Sequence, residues 1–446
     1  LMHPIDWTII AGYLVWIVWD GLRLTKNSHK LEGYFLASRS LPWWAVGLSV
    51  MATQLSAITM IGTTGQGYVD GMRFLQYYYA LPLAMIILSV TLVPFFYKAR
   101  VYTAYEYLER RFDAKTRTFT SLLFLLSRSM SLGVVISAPA IVLSVVLGLS
   151  VTNTVVLIAL PTAVYTMFGG VQAVAWTDVK QMYLIVGGLV AVVVILLLQL
   201  PDGVGIVEAL QVAGTTGRLQ MFDFQFDLTN QYTFWSGTIA ALFLFCSYFG
   251  TDQSQVSRYI NGKNIKESQM GLIFNAFMKI PLQFFILFIG LLLFVFYSLN
   301  QPPLNFNKSL LSYQKSIDNS LIENYEIENT LIFEKKKELL NSYFNNSTDE
   351  KLNKQIIELN NDLDINRKNF ESEVVANGYI MKKPESDFIF LTFILDYLPI
   401  GLIGFLIAVI FSAAMSSTSA EISALSAITT IDIYKRFFKS NVLTKN

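Results

Sequence analysis

Long, nearly uninterrupted apolar runs restrict the fold of this 446-residue sequence more than any other feature. A helix rises about 1.5 Å per residue, so roughly 20 apolar residues are needed to cross the hydrocarbon core of a bilayer. We expect a membrane helix in each of nine runs: residues 5–24, 42–68, 74–97, 118–147, 152–170, 180–200, 232–256, 268–298 and 389–430. The sequence therefore predicts an all-α polytopic membrane protein.

Charged residues are unevenly distributed along the chain. Of the 65 Asp, Glu, Lys and Arg residues, 26 fall between residues 300 and 387, and the apolar runs hold few of them. The net charge is +1 and no basic patch extends beyond short loops, so the charge distribution does not indicate a nucleic-acid partner and we expect none. Cys246 is the only cysteine, and His3 and His29 are the only histidines. Disulfide frameworks and thiolate or histidine metal sites are therefore excluded.

Basic residues in the predicted loops set the orientation. With the N-terminus outside, the short outer loops hold little beyond Arg73 and Arg218. The loops on the other side carry Arg23, Lys26, Lys30, Arg39, Lys98, Arg100, Arg110, Arg111, Lys115, Arg117, Arg258, Lys263, Lys266, Lys435, Arg436, Lys439 and Lys445. Because positively charged loops stay in the cytoplasm, that side is predicted to be cytoplasmic. We expect a plasma membrane protein (inner membrane if bacterial) whose chain ends inside.

The same topology places the polar segment 300–387 outside the cell. Apolar residues recur at helical spacing over 317–344 and 351–370, and residues 345–350 between them have the composition of a turn and helix N-cap. These patterns predict an extracytoplasmic helical hairpin. Its role is either that of a solvated spacer or that of a docking element for a protein partner.

Two predicted spans contain polar stretches that a lipid-facing helix avoids. Residues 47–62 are rich in Gly, Ser and Thr, which favours a broken helix whose freed carbonyls bind an ion, water or protein. In the last span, the hydroxyls of Ser416, Ser417 and Ser419 and the carbonyl of Ala413 are hard oxygen donors that suit an alkali or alkaline-earth cation. Few carboxylates lie nearby, which favours a monovalent ion over calcium. Ordinary small-residue helix packing is the alternative for both stretches.

Charged residues also fall inside the predicted spans, where each is a functional candidate. Arg128 lies in the fourth, Asp252 in the seventh, and Lys279 in the eighth, two residues before Pro281. Asp178, at the start of the sixth, is either an intramembrane group or a boundary residue. Asp252 is expected to pair either with Lys279 or with a substrate.

Four stretches resemble motifs of the sodium:solute symporter family, which transports sugars, iodide, monocarboxylates, vitamins and sialic acids. They are residues 52–59 (ATQLSAIT), 102–113 (YTAYEYLERRFD), 165–178 (YTMFGGVQAVAWTD, followed by Gln181) and 250–253 (GTDQ, followed by Arg258 and Tyr259). The resemblance runs from about residue 5 to 300 and resumes at 388–435. The insert therefore lies outside it.

The resemblance implies two inverted five-helix repeats after an extra N-terminal helix, with ion and substrate midway across the membrane at discontinuous helices. The first repeat would cover about 42–200 and the second would begin at about 232, incomplete in this chain. Spans 1–8 would then occupy 1–299, the insert 300–387, the ninth span 388–434 and a basic cytoplasmic tail 435–446. We expect the natural gene to continue with at least two further apolar stretches.

The resemblance also assigns the ion sites. The main sodium site would combine three backbone carbonyls and two hydroxyls, from Ala52, Leu55, Ala413, Ser416 and Ser417. A second sodium, as some members bind, would use Asp178, Ser416 and Ser419, although Ala420 stands where a further hydroxyl is sometimes found. Transport would therefore use one or two sodium ions.

The implied solute contacts are Ser56, Thr59, Phe74, Gln76, Tyr78, Arg128, Asp252, Gln253 and Lys279. The polar groups that bind sugar in sodium–galactose relatives fall here on Thr59, Tyr78 and Asp252, which disfavours sugar, while their lysine recurs as Lys279. The sialic acid branch looks most similar, and Ser56 and Thr59 match its ligand contacts. Its carboxylate-binding arginine falls on Ser131, one turn from Arg128, which is the alternative partner for an anionic solute.

These features predict a sodium-coupled transporter that imports a small polar or anionic organic solute by alternating access, with the solute and the lipid bilayer as its partners. The alternative is a transporter-like sensor or scaffold that binds solute, or a partner protein through the 300–387 insert, without net transport. An enzyme is disfavoured, because the spans contain no nucleophile–base pair, metal cluster or phosphate-cradling loop.

Overall fold

A computed structural model describes residues 2–24, 31–201, 204–227, 229–345 and 349–438, and regular structure in these ranges is helical, as predicted. The helices are α1 Pro4–Arg23, α2 Leu31–Leu36, α3 Trp43–Gln54, α4 Ala57–Asp70, α5 Leu81–Val90, α6 Leu92–Ala99, α7 Glu106–Arg111, α8 Ala114–Leu147, α9 Val151–Leu198, α10 Ile206–Thr215, α11 Ala241–Thr251, α12 Gln253–Tyr259, α13 Ile265–Leu299, α14 Lys308–Ile317, α15 Asn319–Asn345, α16 Glu350–Ala376, α17 Ser386–Tyr397, α18 Leu402–Ala427 and α19 Lys435–Phe437. A 3₁₀ segment spans Gly71–Tyr78, and π-helical turns span Ser236–Ala240 and Ile428–Tyr434. His29, four basic residues of the topology argument (Lys26, Lys30, Lys439 and Lys445) and residues 346–348 of the predicted turn lie outside the described ranges.

Six helical segments in the described ranges are long and apolar enough to cross a membrane, where the sequence predicted nine. They are Pro4–Arg23, Ala57–Ala99, Ala114–Leu147, Val151–Leu198, Ile265–Leu299 and Leu402–Phe437. In an apolar 18-residue stretch of each segment, 83% of the residues of α13 and 89% of those of Leu402–Phe437 are buried within the protein, against 28% for α1 and 39% for α8 and α9. α13 and α18 therefore lie at the centre of the helix assembly, and the less buried helices leave apolar surface for lipid.

The ninth predicted run, 389–430, is not one helix. Its first part belongs to α17, and α18 begins only at Leu402. Pro399 has no backbone N–H to donate and Gly401 has a φ of 91°, so the helix cannot continue through them. α17 has 12 residues and is about 18 Å long, which is too short to cross a bilayer.

The fifth and sixth predicted runs both lie in α9, which bends sharply at Gly170. This residue has φ 60° and ψ −166°, and a Cβ placed on it would lie 2.7 Å from the carbonyl oxygen of Tyr34. Only glycine accommodates both the left-handed φ and the close approach. Asp178 lies eight residues further along and is fully buried, so it is an interior group and not a boundary residue.

Two apolar segments are interrupted where the motifs fall. Leu55 (φ −90°, ψ 88°) and Ser56 (φ −88°, ψ 164°) separate α3 from α4, which confirms the predicted broken helix in the second span. Asp252 (φ −80°, ψ 121°) separates α11 from α12, and its side chain caps α12 by accepting a 2.9 Å hydrogen bond from the N–H of Ser254. Both breaks leave backbone groups near the middle of the assembly without helical partners.

The insert contains three helices where two were expected. α14 precedes α15, and α15 and α16 lie along each other as a hairpin. Asp349 caps α16 by accepting hydrogen bonds from the N–H groups of Lys351 and Leu352. The capping residue therefore lies within the stretch where the sequence signals a helix start.

Two buried basic side chains connect this hairpin to the rest of the protein. The Lys336 ammonium lies 2.9 Å from Oδ1 of Asn360 and 3.4 Å from Oγ of Ser298, at the end of α13. Burial lowers the pKa of Lys336 to about 7. Arg367 donates to the carbonyl oxygen of Pro303 at 3.1 Å. The hairpin therefore makes specific contacts with the end of α13 and with the segment that follows it.

Candidate ion and solute site

Helix α18 meets the end of α3 through an oxygen-rich contact. The Ser416 hydroxyl lies 3.0 Å from the carbonyl oxygen of Ala52, and the Ser417 hydroxyl lies 3.1 Å from that of Ala413. Leu55 follows directly after α3, so its carbonyl lies outside the helical hydrogen-bond pattern. Hard oxygen donors from two distant parts of the chain therefore converge at the break between α3 and α4.

Ser416 also lies beside a buried carboxylate. Its hydroxyl oxygen is 3.1 Å from Oδ1 of Asp178, while the hydroxyl of Ser49 donates to Oδ2 at 2.9 Å. Ser416 has one proton for two acceptors, Asp178 and the carbonyl of Ala52. That proton is either shared between the two acceptors or given to one of them, and a small cation is the kind of ligand that would stabilise this group of oxygen atoms.

Asp178 has a counter-charge of its own. Nη1 of Arg258 lies 3.8 Å from Oδ2 of Asp178, and both side chains are fully buried. Ser419, the third residue predicted for a second sodium, donates its hydroxyl proton to the carbonyl of Ser416 at 2.8 Å. The structure thus brings Asp178 and Ser416 into contact, while Ser419 is bonded within its own helix.

A cavity of about 300 Å³ lies beside this break, lined by Gln54, Tyr77, Tyr78, Leu244, Phe245 and Tyr248. A second cavity, of about 570 Å³ and lined in part by Phe74, shares Tyr77 and Leu244 with it. Of the predicted solute residues, Tyr78 thus lines the first and Phe74 the second. The fully buried Lys279 has its ammonium 5.8 Å from the centre of the Tyr78 ring. An aromatic cavity with a cation behind one wall can hold a polar or anionic organic molecule.

Two residues that were predicted to bind the solute, Gln76 and Gln253, form hydrogen bonds with backbone groups of neighbouring loops instead. The Gln76 amide accepts a 2.7 Å bond from the N–H of Asp223 and donates to the carbonyl of Tyr232. The Gln253 amide accepts a 2.9 Å bond from the N–H of Ala104 and donates to the carbonyl of Tyr102 at 3.0 Å. Both glutamines are fully buried, so the assignment of these amides to the solute does not fit their contacts.

Ser56 and Thr59 lie at the start of α4, where the Ser56 hydroxyl accepts a 3.2 Å bond from the N–H of Thr59. Their hydroxyl oxygens are 3.3 Å apart. Sequence reasoning missed Gln54, whose Oε1 is buried without a partner in the described part of the chain. The sequence feature that could have identified Gln54 is its position next to Leu55, inside the polar stretch of the second span.

Arg128 is held between two carboxylates. One guanidinium nitrogen pairs with Asp252, and Nη1 lies 2.7 Å from Oε1 of Glu421 on α18. Of the two alternatives for Asp252, the ion pair with Lys279 is therefore wrong, because α8 places the guanidinium of Arg128 at the break between α11 and α12. Within the described ranges, the Lys279 ammonium has no hydrogen-bond partner. Glu421 was not singled out from the sequence, although it is a lone carboxylate in an apolar helix.

The sequence model of the sodium:solute symporter family matches residues 34–308 and 372–445 of this chain. The sodium/sialic acid symporter SiaT of Proteus mirabilis is 28% identical over 443 residues, covering 98% of this chain and 72% of that protein. The human sodium/iodide cotransporter is 30% identical over 291 residues, covering 64% of this chain and 44% of that protein.

A solved structure of a Na⁺-coupled sialic acid symporter, in a substrate-bound outward-open state, is also similar. It shares a TM-score of 0.73 and 27% sequence identity with this chain, covering 99% of this chain and 75% of the other. The family match spans well over half of the chain and excludes most of the insert. The chain therefore belongs to the sodium:solute symporter family, whose members are sodium-coupled membrane transporters.

Proposed function

We propose that this protein imports a small polar or anionic organic solute together with sodium, by alternating access across the plasma membrane. The observation that carries the proposal is the contact of Ser416 with both Ala52 and Asp178, because it joins the central helix α18 to a broken helix through oxygen atoms. The proposed orientation has the N-terminus outside and the basic loops in the cytoplasm.

The main sodium ion would bind the carbonyls of Ala52, Leu55 and Ala413 and the hydroxyls of Ser416 and Ser417. An ion that binds atoms of both α3 and α18 stabilises the conformation in which these two helices are in contact. Sodium and solute are then coupled because each has a higher affinity for the same state. Inward movement of sodium contributes about 2.3 kcal/mol per charge per 100 mV of membrane potential, in addition to its concentration gradient.

A second sodium at Asp178 is the weaker part of the proposal. Arg258 already lies 3.8 Å from the Asp178 carboxylate and offsets its charge. A cation arriving there gains less than it would beside an isolated carboxylate, since the guanidinium repels it. We therefore propose that the main site is filled first and that any second ion binds less tightly.

We propose that the solute binds in the cavity lined by Gln54, Tyr78 and Tyr248, near the break between α3 and α4. Lys279 is the group we assign to a solute carboxylate, because it is buried, lies behind Tyr78 and has no partner in the described ranges. Arg128 is less suited to that role, since two carboxylates already occupy its guanidinium. The similarity to sialic acid symporters makes acidic sugars the first class to test.

The decisive experiment is a thermal-shift screen of the purified protein in NaCl and in KCl. Sialic acids, neutral sugars, amino acids and monocarboxylates are added one class at a time, and hits are tested for uptake into proteoliposomes. We expect at least one acidic solute to stabilise the protein only in sodium, because ligands that bind the folded state raise its stability. If no class gives sodium-dependent stabilisation or uptake, the proposal fails.

A sensor or scaffold is the second candidate, and the insert is what favours it. Ile327 and Leu331 are more than half exposed and lie one turn apart on α15, in the part of the chain that the family model does not match. Deleting residues 305–380 separates the two functions. Loss of a partner with uptake unchanged assigns the insert to partner binding, and loss of uptake assigns it to transport.

A further inference from the structure

Glu421 lies on the same face of α18 as the candidate sodium site. It follows Ser417 by four residues, about one helical turn, and both side chains are buried. Because α18 is a continuous helix between them, a shift of this part of the helix on ion binding would move the Glu421 carboxylate as well. Glu421 is therefore positioned to transmit a movement of this part of α18 to the side chains that it contacts.

What Glu421 contacts is the guanidinium of Arg128, at 2.7 Å from Nη1. The other terminal nitrogen of the same guanidinium pairs with Asp252. Arg128 therefore bridges two carboxylates on different helices, each on its own nitrogen. The three side chains are only 8–15% exposed, so their electrostatic interaction is weakly screened by solvent.

The far end of this bridge is the break between α11 and α12. Oδ1 of Asp252 accepts bonds of 2.9 Å from the N–H of Ser254 and 2.7 Å from its hydroxyl, so the residue that pairs with Arg128 also starts α12. The ring of Tyr248, which lines the solute cavity, lies 5.8 Å from Cζ of Arg128. A change at Asp252 therefore reaches both the start of α12 and a wall of the cavity.

The charges of the bridge are unequal, with two carboxylates against one guanidinium. Oε2 of Glu421 is buried without a hydrogen-bond partner in the described ranges. Removing the Glu421 charge leaves a balanced pair of Arg128 and Asp252. Removing Arg128 would leave two buried carboxylates facing each other, which is far more destabilising. Glu421 is therefore the member that can be changed with the least damage to folding.

We propose that Glu421 is a positioning residue that couples sodium binding on α18 to the α11–α12 break, acting through Arg128 and Asp252. The inference rests on the proposed sodium site. It extends that proposal by naming the connection through which the ion alters the solute cavity. It also changes the role of Arg128 from a solute ligand to the central cation of this connection.

Hydrogen exchange with sodium as the only added ligand tests the proposal. Exchange is measured in nanodiscs, in NaCl and in KCl, for backbone amides 413–420 at the sodium site and 250–256 at the break. In the unaltered protein we expect sodium to slow exchange in both segments, by about fivefold or more at the break. In Glu421→Gln we expect slowing at 413–420 to persist and slowing at 250–256 to fall below about twofold.

Ser423→Ala is the matched control, because Ser423 is a buried residue two positions away on α18 whose hydroxyl has no partner in the described ranges. It should keep both sodium effects. Glu421→Ala removes the contact entirely and should lose the effect at the break at least as fully as Glu421→Gln; if the alanine variant does not fold, the glutamine variant decides alone.

Four other exchange results would contradict the proposal. Full sodium protection of 250–256 in Glu421→Gln overturns the proposal, as does protection of 413–420 alone in the unaltered protein. No sodium effect in either segment of the unaltered protein contradicts the sodium site itself, and with it the proposed function. A purely structural role for Glu421 would speed exchange equally in both salts and leave the sodium-dependent part unchanged, which also overturns the proposal.

Discussion

The hydroxyl of Ser416 lies 3.0 Å from the carbonyl oxygen of Ala52, although 364 positions separate the two residues in the sequence. Ala52 lies in the last turn of α3, and Ser416 lies in the middle of α18. An ion held here would therefore connect the broken helix of the second span to α18, which is largely buried within the protein.

Ser417→Ala is expected to raise the sodium concentration for half-maximal uptake by about tenfold, which corresponds to the loss of roughly 1.4 kcal/mol of ion binding. Stability in KCl should fall by only about 1 kcal/mol, since one intrahelical hydrogen bond is lost. Ser412→Ala on the same helix, which also removes a side-chain bond to the backbone, is the control and should leave the sodium dependence unchanged. An unaltered sodium activation curve for Ser417→Ala in proteoliposomes would remove this serine from the site.

Asp178→Asn leaves the Arg258 guanidinium buried without its counter-charge, and we expect it to destabilise the protein by roughly 3–5 kcal/mol. The double variant Asp178→Asn with Arg258→Met should recover much of that stability, because no unpaired buried charge remains. Thermal unfolding of both single variants and the double variant gives the coupling between the two residues. If Asp178 also binds a second sodium, the double variant should show a sodium Hill coefficient near one.

Lys336 is expected to make stability depend on pH. Its pKa is about 7 in the folded protein, against about 10.4 for an exposed lysine, so between these values the unfolded chain binds more protons. Stability should therefore rise with pH from about 7 to 10, and below that range this residue should add no pH dependence.

Lys336→Met removes the pH-dependent contribution of Lys336 to stability. The melting temperature of the unaltered protein should therefore rise relative to that of the variant as pH increases from 7 to 9. Lys335→Met changes an exposed lysine on the same helix and is the control, with a pH profile parallel to that of the unaltered protein. A parallel profile for Lys336→Met would mean that this ammonium is solvated.

Gly170→Ala is expected to disrupt the bend in α9. The combination of φ 60° and ψ −166° costs an alanine about 1–3 kcal/mol, because only glycine adopts it readily, and the added methyl group would collide with the carbonyl oxygen of Tyr34. Gly187→Ala lies on the same helix with no heavy atom within 4 Å of the added carbon, and it should be neutral or slightly stabilising. Equal melting temperatures for the two variants would show that the bend tolerates a side chain.

Local patterns predicted much of the fold because each depends on neighbouring residues alone. Apolar length predicted α8 and α13 as helices long enough to cross a membrane, and it predicted two separate runs for α9, which bends at Gly170. The polar stretch 47–62 predicted the break at Leu55 and Ser56. The boundary between α17 and α18 was missed because apolar residues continue on both sides of it. Hydropathy does not register the backbone effects of Pro399 and Gly401.

By itself, the sequence determined that this is a helical membrane protein, that its second span is broken, and that its interior offers oxygen donors suited to a monovalent cation. Only the tertiary structure decided which charges meet: Asp252 pairs with Arg128 and not Lys279, and Gln253 holds a loop instead of facing the solute. The physical reason is that hydropathy and helix breaks are local properties. The partner of a buried polar group depends on how helices distant in sequence pack together.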